Sequence, residues 1–231
     1  MAKTKFPGFP LDLLKFFDQL SKNNNRDWFA KHKPRYEESV LVPAMAFVEA
    51  MAAPLAKISP HFIAVPKRQG GSIMRIYRDV RFGKDKRPYK TNLGIHFRHE
   101  KGKDVHAPGF YSHIDNDEAF LGAGIWNPDG PTLRKIRRAI DKQSAEWRKT
   151  KSSAALKKRW ELSGESLKRP PQGYTVEHPL IEDIKRKDHI AVAKLDYDTV
   201  LSADVVKETA TAFRASRGYV AFLCEAIGLK F

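Results

Sequence analysis

The sequence predicts an α+β fold, with a mainly antiparallel sheet in the middle of the chain flanked by N-terminal and C-terminal helices. Three observations predict it. Apolar residues recur at helical spacing up to residue 58 and again after residue 131. Between these regions, "HFIAVP", "GSIMRIYRD", "NLGIHFRH", "GFYSHID" and "AFLGAGIW" are short runs rich in β-branched and aromatic residues, punctuated by Gly, Pro, Asn and Asp. The connections between the runs are too short for crossover helices, so neighbouring strands pair antiparallel.

The elements follow in order. Pro10 suits the first turn of a helix, and Leu11, Leu13, Leu14, Phe16, Phe17 and Leu20 give it an apolar stripe that ends near "SKNNN". Asn25 is the expected N-cap of the next helix, which turns Trp28, Phe29 and Tyr36 to the core. Pro34 and Pro43 predict two or three short or kinked helices rather than one rod. After the strand-rich stretch, Leu133, Ile136, Ile140 and Trp147 fall within about 60° of one another on a helix, opposite Arg134, Lys135, Arg138 and Lys142. A second basic helix is expected from about 153 to 162, then a Pro/Gly-rich loop, a strand at "HIAVAKLDY", and one long helix after Ser202 that Gly228 stops. No internal repeat or long linker divides the chain. One domain over 1–231 is expected: helical over 1–58, strand-rich over 60–126, helical over 131–163, loop and strand over 164–200, and a closing helix over 202–228.

Composition narrows the function. The 231 residues are 42 % hydrophobic and 11 % aromatic, enough for a core. The single cysteine, Cys224, rules out an intrachain disulfide framework and fits a reducing, cytoplasmic setting. No signal peptide, and no apolar run near the ~20 residues that span a bilayer, is read, so no membrane partner is expected. The net charge of +15 concentrates in two stretches: residues 75–90, with seven basic and two acidic side chains, and residues 134–160, with eleven and two. Such asymmetry is a statement about partners, and it points to nucleic acid or a phosphorylated small molecule. Phosphate-loop, dinucleotide, nucleophile-elbow and zinc-protease motifs do not occur, so neither a cofactor nor a metal is expected.

The chemistry is sought in "RIYRDVRFGKDKRPYKTN", from Arg75 to Asn92. Read as a strand, "SIMRIYRD" puts Ile73, Arg75 and Tyr77 on one face and Met74, Ile76 and Arg78 on the other. Gly83 then permits a tight turn, and Pro88 holds Arg87 extended. Arginine offers a bidentate fork and lysine a point charge for phosphate or carboxylate. The candidate anion-binding residues are Arg75, Arg78, Asp79, Arg81, Phe82, Lys84, Asp85, Lys86, Tyr89, Lys90 and Thr91. Tyr111 and His113 of "GFYSHID" share one strand face with Asp115 and can join the site, histidine being the side chain most ready to move protons near neutral pH. Three roles remain open: a binding site for anionic, phosphate-bearing ligands, an enzyme pocket for a small anionic substrate, or an Arg–Asp ion-pair network that holds the turn.

"FPLDLLKFFDQLSKNNNRDWFAKHKPRYEE", "MRIYRDVRFGKDKRPYKTNLGIHF", "GFYSHI", "FLGAGIW" and "RPPQGYTVEHP", in that order, resemble a family of bacterial and fungal proteins, domain of unknown function family 2461. The resemblance covers nearly the whole chain, and its long R-D-x-R-F-x-K-D-K-x-P-Y-K-T core runs here from Arg78 to Thr91. It implies a compact α+β protein and directs attention to the charged positions of that core. It implies no established activity, so no catalytic role is carried over.

Overall fold

Pro10 opens the first helix, α1 (Leu11–Lys22), which buries Leu13, Phe16, Phe17 and Leu20. The computed structural model describes residues 5–81, 83–102 and 106–231. Asn25 caps α2 (Arg26–Tyr36), its side chain accepting from Trp28 N. The two prolines do not break this region. A π-helical turn at Glu37–Leu41 joins α2 to α3 (Val42–Ala56), so the chain is helical from Arg26 to Ala56. Pro43 has no N–H to give, and the wider turn ahead of it lets Val42 N bond Glu37 O instead. By length and composition this run could cross a membrane, contrary to the sequence reading. Its apolar residues Phe47, Val48, Met51 and Leu55 are instead buried in the core.

The sheet has five antiparallel strands in the order β1-β2-β3-β5-β4: β1 (Leu93–Arg98), β2 (Gly109–Ile114), β3 (Ala119–Ile125), β4 (Glu161–Ser163) and β5 (His189–Lys194). "HFIAVP" and "GSIMRIYRD" form no regular strand. They touch the free edge of β1 through single bridges, Phe62 with His99 and Ile73 with Ile95. The expected alternation fails after Met74, because Ile73 and Ile76 are both buried while Arg75 and Tyr77 are exposed.

The basic segment is divided more finely than predicted, into α4 (Gly130–Lys142), α5 (Ser144–Ser152) and α6 (Ala154–Lys157). The second basic helix is a single turn, and β4 occupies the residues expected to continue it. Short α7 (Ile181–Ile184) and α8 (Tyr197–Val200) flank β5. The closing helix is two helices, α9 (Val205–Ala215) and α10 (Arg217–Ala226), broken where the buried Ser216 hydroxyl donates to Phe213 O.

One sheet face carries the core. Leu93, Ile95 and Phe97, Phe110 and Ile114, Leu121, Ala123 and Ile125, and Ala191 are buried there. Phe213 of α9 packs on Phe110 and Phe97 at ring separations of 4.8 and 6.1 Å, and Phe47 of α3 reaches Phe97. α3 rests on β1 and α9 and α10 on β3, all from this side. The other face stays half-buried, and it carries the site.

Candidate functional site

Residues 76–90 form a short hairpin. Tyr77 bridges Tyr89, Arg78 N donates to Pro88 O, and Lys90 N donates to Ile76 O. The helical region holds its base. Asn24 pairs with both backbone groups of Tyr89, its amide donating to Tyr89 O and its carbonyl accepting from Tyr89 N, each at 3.0 Å. The Tyr89 ring is buried and stacks on Phe29 at 4.2 Å.

At the tip, each aspartate is taken by arginine. Asp85 accepts from Arg78 at 2.6 Å and from Arg87 at 2.7 Å, and Asp79 accepts from Arg81 at 2.7 Å. The Arg81 hydrogen bond, with the Arg81 backbone N–H, holds the Asp79 carboxyl down at about 2, and Arg87 and then Arg78 push Asp85 well below the carboxylate range. Neither acid can serve as a base near neutral pH. Lys86 donates to Val80 O, Lys84 is exposed, and Thr91 is half-buried. Phe82 lies outside the described residues.

The base of the hairpin differs from the tip. Lys90 is half-buried, and no carboxylate pairs with it or with Arg75 among the described residues. Burial, then the Arg75 charge, push the Lys90 ammonium below its ordinary value. A cation desolvated beside a like charge is a place where a bound anion is favourable.

This base adjoins the open sheet face. Strand register puts Gly94 and His96, Gly109, Tyr111 and His113, Phe120, Gly122 and Gly124, and Ile190 and Val192 on that face. All of these but Gly94 and His113 line a groove of about 470 Å³, which Met74, Trp126 and Ser163 complete. That size suits a small-molecule ligand. Glycine is needed on its floor because rings lie flat on the sheet. A Cβ at Gly109 would collide with His96 Nε2, and one at Gly94 would stand 2.8 Å from the Tyr111 hydroxyl.

Along the groove's edge runs a hydrogen-bonded chain. Asp115 Oδ2 lies 2.9 Å from His113 Nε2, and His113 Nδ1 is 3.2 Å from the Tyr111 hydroxyl and 3.4 Å from Asn92 Nδ2. Burial pushes the Tyr111 phenol up to about 12, so it stays protonated and donates to Nδ1, which leaves the ring proton on Nε2 facing Asp115. Burial raises Asp115, and the bonds from His113 and from the Glu118 and Asp117 amides outweigh it, leaving the carboxyl below its ordinary value. The His113 ring stacks on Phe120 at 4.5 Å.

Two of the candidates, Tyr111 and His113, therefore meet on one surface, which the chain flanking the hairpin reaches at Met74 and Asn92, while Arg78, Asp79, Arg81, Asp85, Lys86 and Arg87 make up a self-paired tip. Sequence reasoning missed Asn24, Asn92, Met74, Phe120, Trp126 and the β5 wall. The alternating Gly122 and Gly124 of "FLGAGIW", with Gly109 at the start of "GFYSHI", were the available signal. A larger cleft of about 610 Å³ follows β4 and β5, but its charges face one another, with Arg159 and Glu208 paired at 3.0 Å, and it carries none of the candidates.

Fold and site together define an α+β domain with an open, glycine-floored antiparallel sheet face beside a cationic hairpin. The family described as "Conserved hypothetical protein (DUF2461)" matches residues 12–222, and the chain belongs to it. No curated protein and no solved structure matches the chain.

Proposed function

We propose that this chain binds a phosphate-bearing small ligand, with its planar or apolar body in the sheet groove and its anionic end at Arg75 and Lys90. The observation that carries the reading is Lys90: half-buried, beside a like charge, without a carboxylate, and two residues from Asn92 at the groove. The aromatic lining of Tyr111, Phe120 and Trp126 supplies stacking surface for a planar group. The hairpin tip serves geometry in this reading, because its arginines spend their forks on Asp79 and Asp85. A cytoplasmic setting belongs to the same proposal, supported by the lone Cys224, which is buried and held protonated, its thiol pushed up to about 12 by burial.

Calorimetric titration of a nucleoside monophosphate, the matching nucleoside and inorganic phosphate tests it. The monophosphate binds tightest, and Lys84→Ala with Lys90→Ala weakens it by about tenfold or more, the size of one lost charge-assisted contact. Unchanged affinity in the double variant, or no binding of the monophosphate, refutes the reading.

The Tyr111–His113–Asp115 chain favours a second reading, an acid–base enzyme acting on a small anionic substrate in the same groove. Under it, Tyr111→Phe lowers turnover while ligand affinity stays within about twofold.

A further inference from the structure

A second cationic surface lies apart from the groove. Helix α4 buries Ile136 and Ile140 and contacts α10. Its other side exposes Arg134, Lys135, Arg138 and Lys142. Arg134, Arg138 and Lys142 are four residues apart, so they rise along one side in steps of about 6 Å. Like charges at that spacing repel one another. Arg148 of α5, Lys157 of α6 and Lys158 just beyond it extend the exposed set. None of these seven has a carboxylate partner among the described residues.

The nearby acids are engaged elsewhere. Asp141 faces His178 at 3.1 Å, Glu146 pairs with Lys149, Asp183 with Lys151 at 2.5 Å, and Glu208 with Arg159. The four remaining basic residues of the segment are accounted for by the pairs of Lys149, Lys151 and Arg159 and by Arg137, which donates to Ile184 O at 2.7 Å. The fold thus pairs these four basic side chains and leaves the other seven without a salt bridge, with the Asp129 carboxylate at the start of α4 acting only on Arg134 and Lys135.

We propose that this α4–α6 face docks on the phosphate backbone of double-stranded nucleic acid, without reading its sequence. A polyanion relieves the mutual repulsion of the row and releases counterions, which supplies affinity independent of bases. Two features select a duplex over other polyanions. The large apolar side chains exposed among the described residues are Leu11, Val42, Tyr77, Trp126 and Val176, none of them on this face, so it has no anchor for a lipid surface. Trp147 and Trp160 are buried, so neither tryptophan of α4–α6 and the turn after it offers a ring on which an unpaired base can stack. The proposal does not rest on the groove, and its test separates the two.

The test is fluorescence anisotropy of a labelled 20-base-pair duplex at several salt concentrations. With about six phosphate contacts, affinity falls about 1000-fold between 50 and 200 mM salt. Replacing Arg134, Arg138 and Lys142 together with Gln reduces the slope of log affinity against log salt by about 3. Lys84→Ala with Lys90→Ala leaves that slope unchanged. Arg134→Lys with Arg138→Lys keeps binding, which shows that charge and not a disturbed fold is at issue. The proposal is overturned by no duplex binding at 50 mM salt, by wild-type affinity in the Gln variant, by a loss confined to the hairpin variant, or by binding to phosphatidylserine vesicles in place of duplex.

Discussion

Acidification from pH 7 to pH 5 should weaken this fold through one residue, His189. It lies on the core face of β5 with no exposed surface, and neither ring nitrogen has a hydrogen-bond partner among the described residues. Burial first, then the charges of Arg186 and Arg137, push its imidazolium down to about 3, against an ordinary value near 6.5. The unfolded chain therefore binds a proton in the window between those values that the folded chain refuses, and stability falls as pH drops below about 6.5. At pH 5 the cost is about 1.5 pH units, or about 2 kcal/mol. His189→Leu removes the titration. It leaves no partner orphaned, because the ring makes no bond, and as a near-volume-conserving swap it changes stability at pH 7 by less than about 1.5 kcal/mol. Urea unfolding at pH 7, 6 and 5 should show the wild type losing about 2 kcal/mol more than the variant. Carboxylates do not confuse the comparison, since their contribution is lost only below about pH 4. Parallel pH profiles for the two proteins would refute the reasoning.

Three further outcomes concern the sheet glycines and the helical region. Gly124 has φ +123°, and a Cβ there would collide with the His189 carbonyl, so Gly124→Ala costs about 2–4 kcal/mol in urea unfolding. Gly122→Ala, whose Cβ would stand 3.3 Å from the Tyr111 Cβ, costs less and narrows the groove, so it weakens ligand binding more than it weakens the fold. Asp12 joins α1 to α2 by accepting from Arg35 at 2.6 and 2.8 Å and from Ser39 at 2.7 Å, and the Arg35 bond holds its carboxyl down at about 2. Its contribution is present above the ordinary carboxylate value near 4 and disappears as pH falls toward 2. Since this carboxyl is 41 % exposed, Asp12→Asn costs only about 1 kcal/mol at pH 7, and its acid-unfolding curve is flatter than the wild type's over that window.

The fold class was legible because periodicity reports burial, and most elements bury one face. Asn25 as a cap, the Ile136 and Ile140 stripe and the antiparallel pairing of "GFYSHI" with "FLGAGIW" all follow from local chemistry. What failed was set by tertiary context. Pro43 suggested a break, but a π-helical turn absorbs its missing donor. "GSIMRIYRD" has strand composition, yet the hairpin it enters twists Ile76 inward and ends the alternation. β4 is three residues long and its pairing with β5 decides it, so nothing local distinguishes it from the end of a helix. At the site, the cationic motif showed where charge gathers, but charge alone does not distinguish Asp85-paired Arg78 from unpaired Lys90. The groove was hidden for a different reason: its β5 wall is nearly 80 residues from Tyr111 in sequence and meets it only across the sheet.

The central claim is that the open sheet face and the hairpin base hold one phosphate-bearing ligand. Amide chemical-shift mapping by NMR with a nucleoside monophosphate tests it most directly, because the glycine signals fall in a distinct region of the spectrum. The account predicts that Gly109, Gly122 and Gly124 shift together with Lys90 and Asn92 as the ligand is added. Shifts confined to the hairpin tip or to the α4–α6 face, with the sheet glycines unmoved, would contradict it.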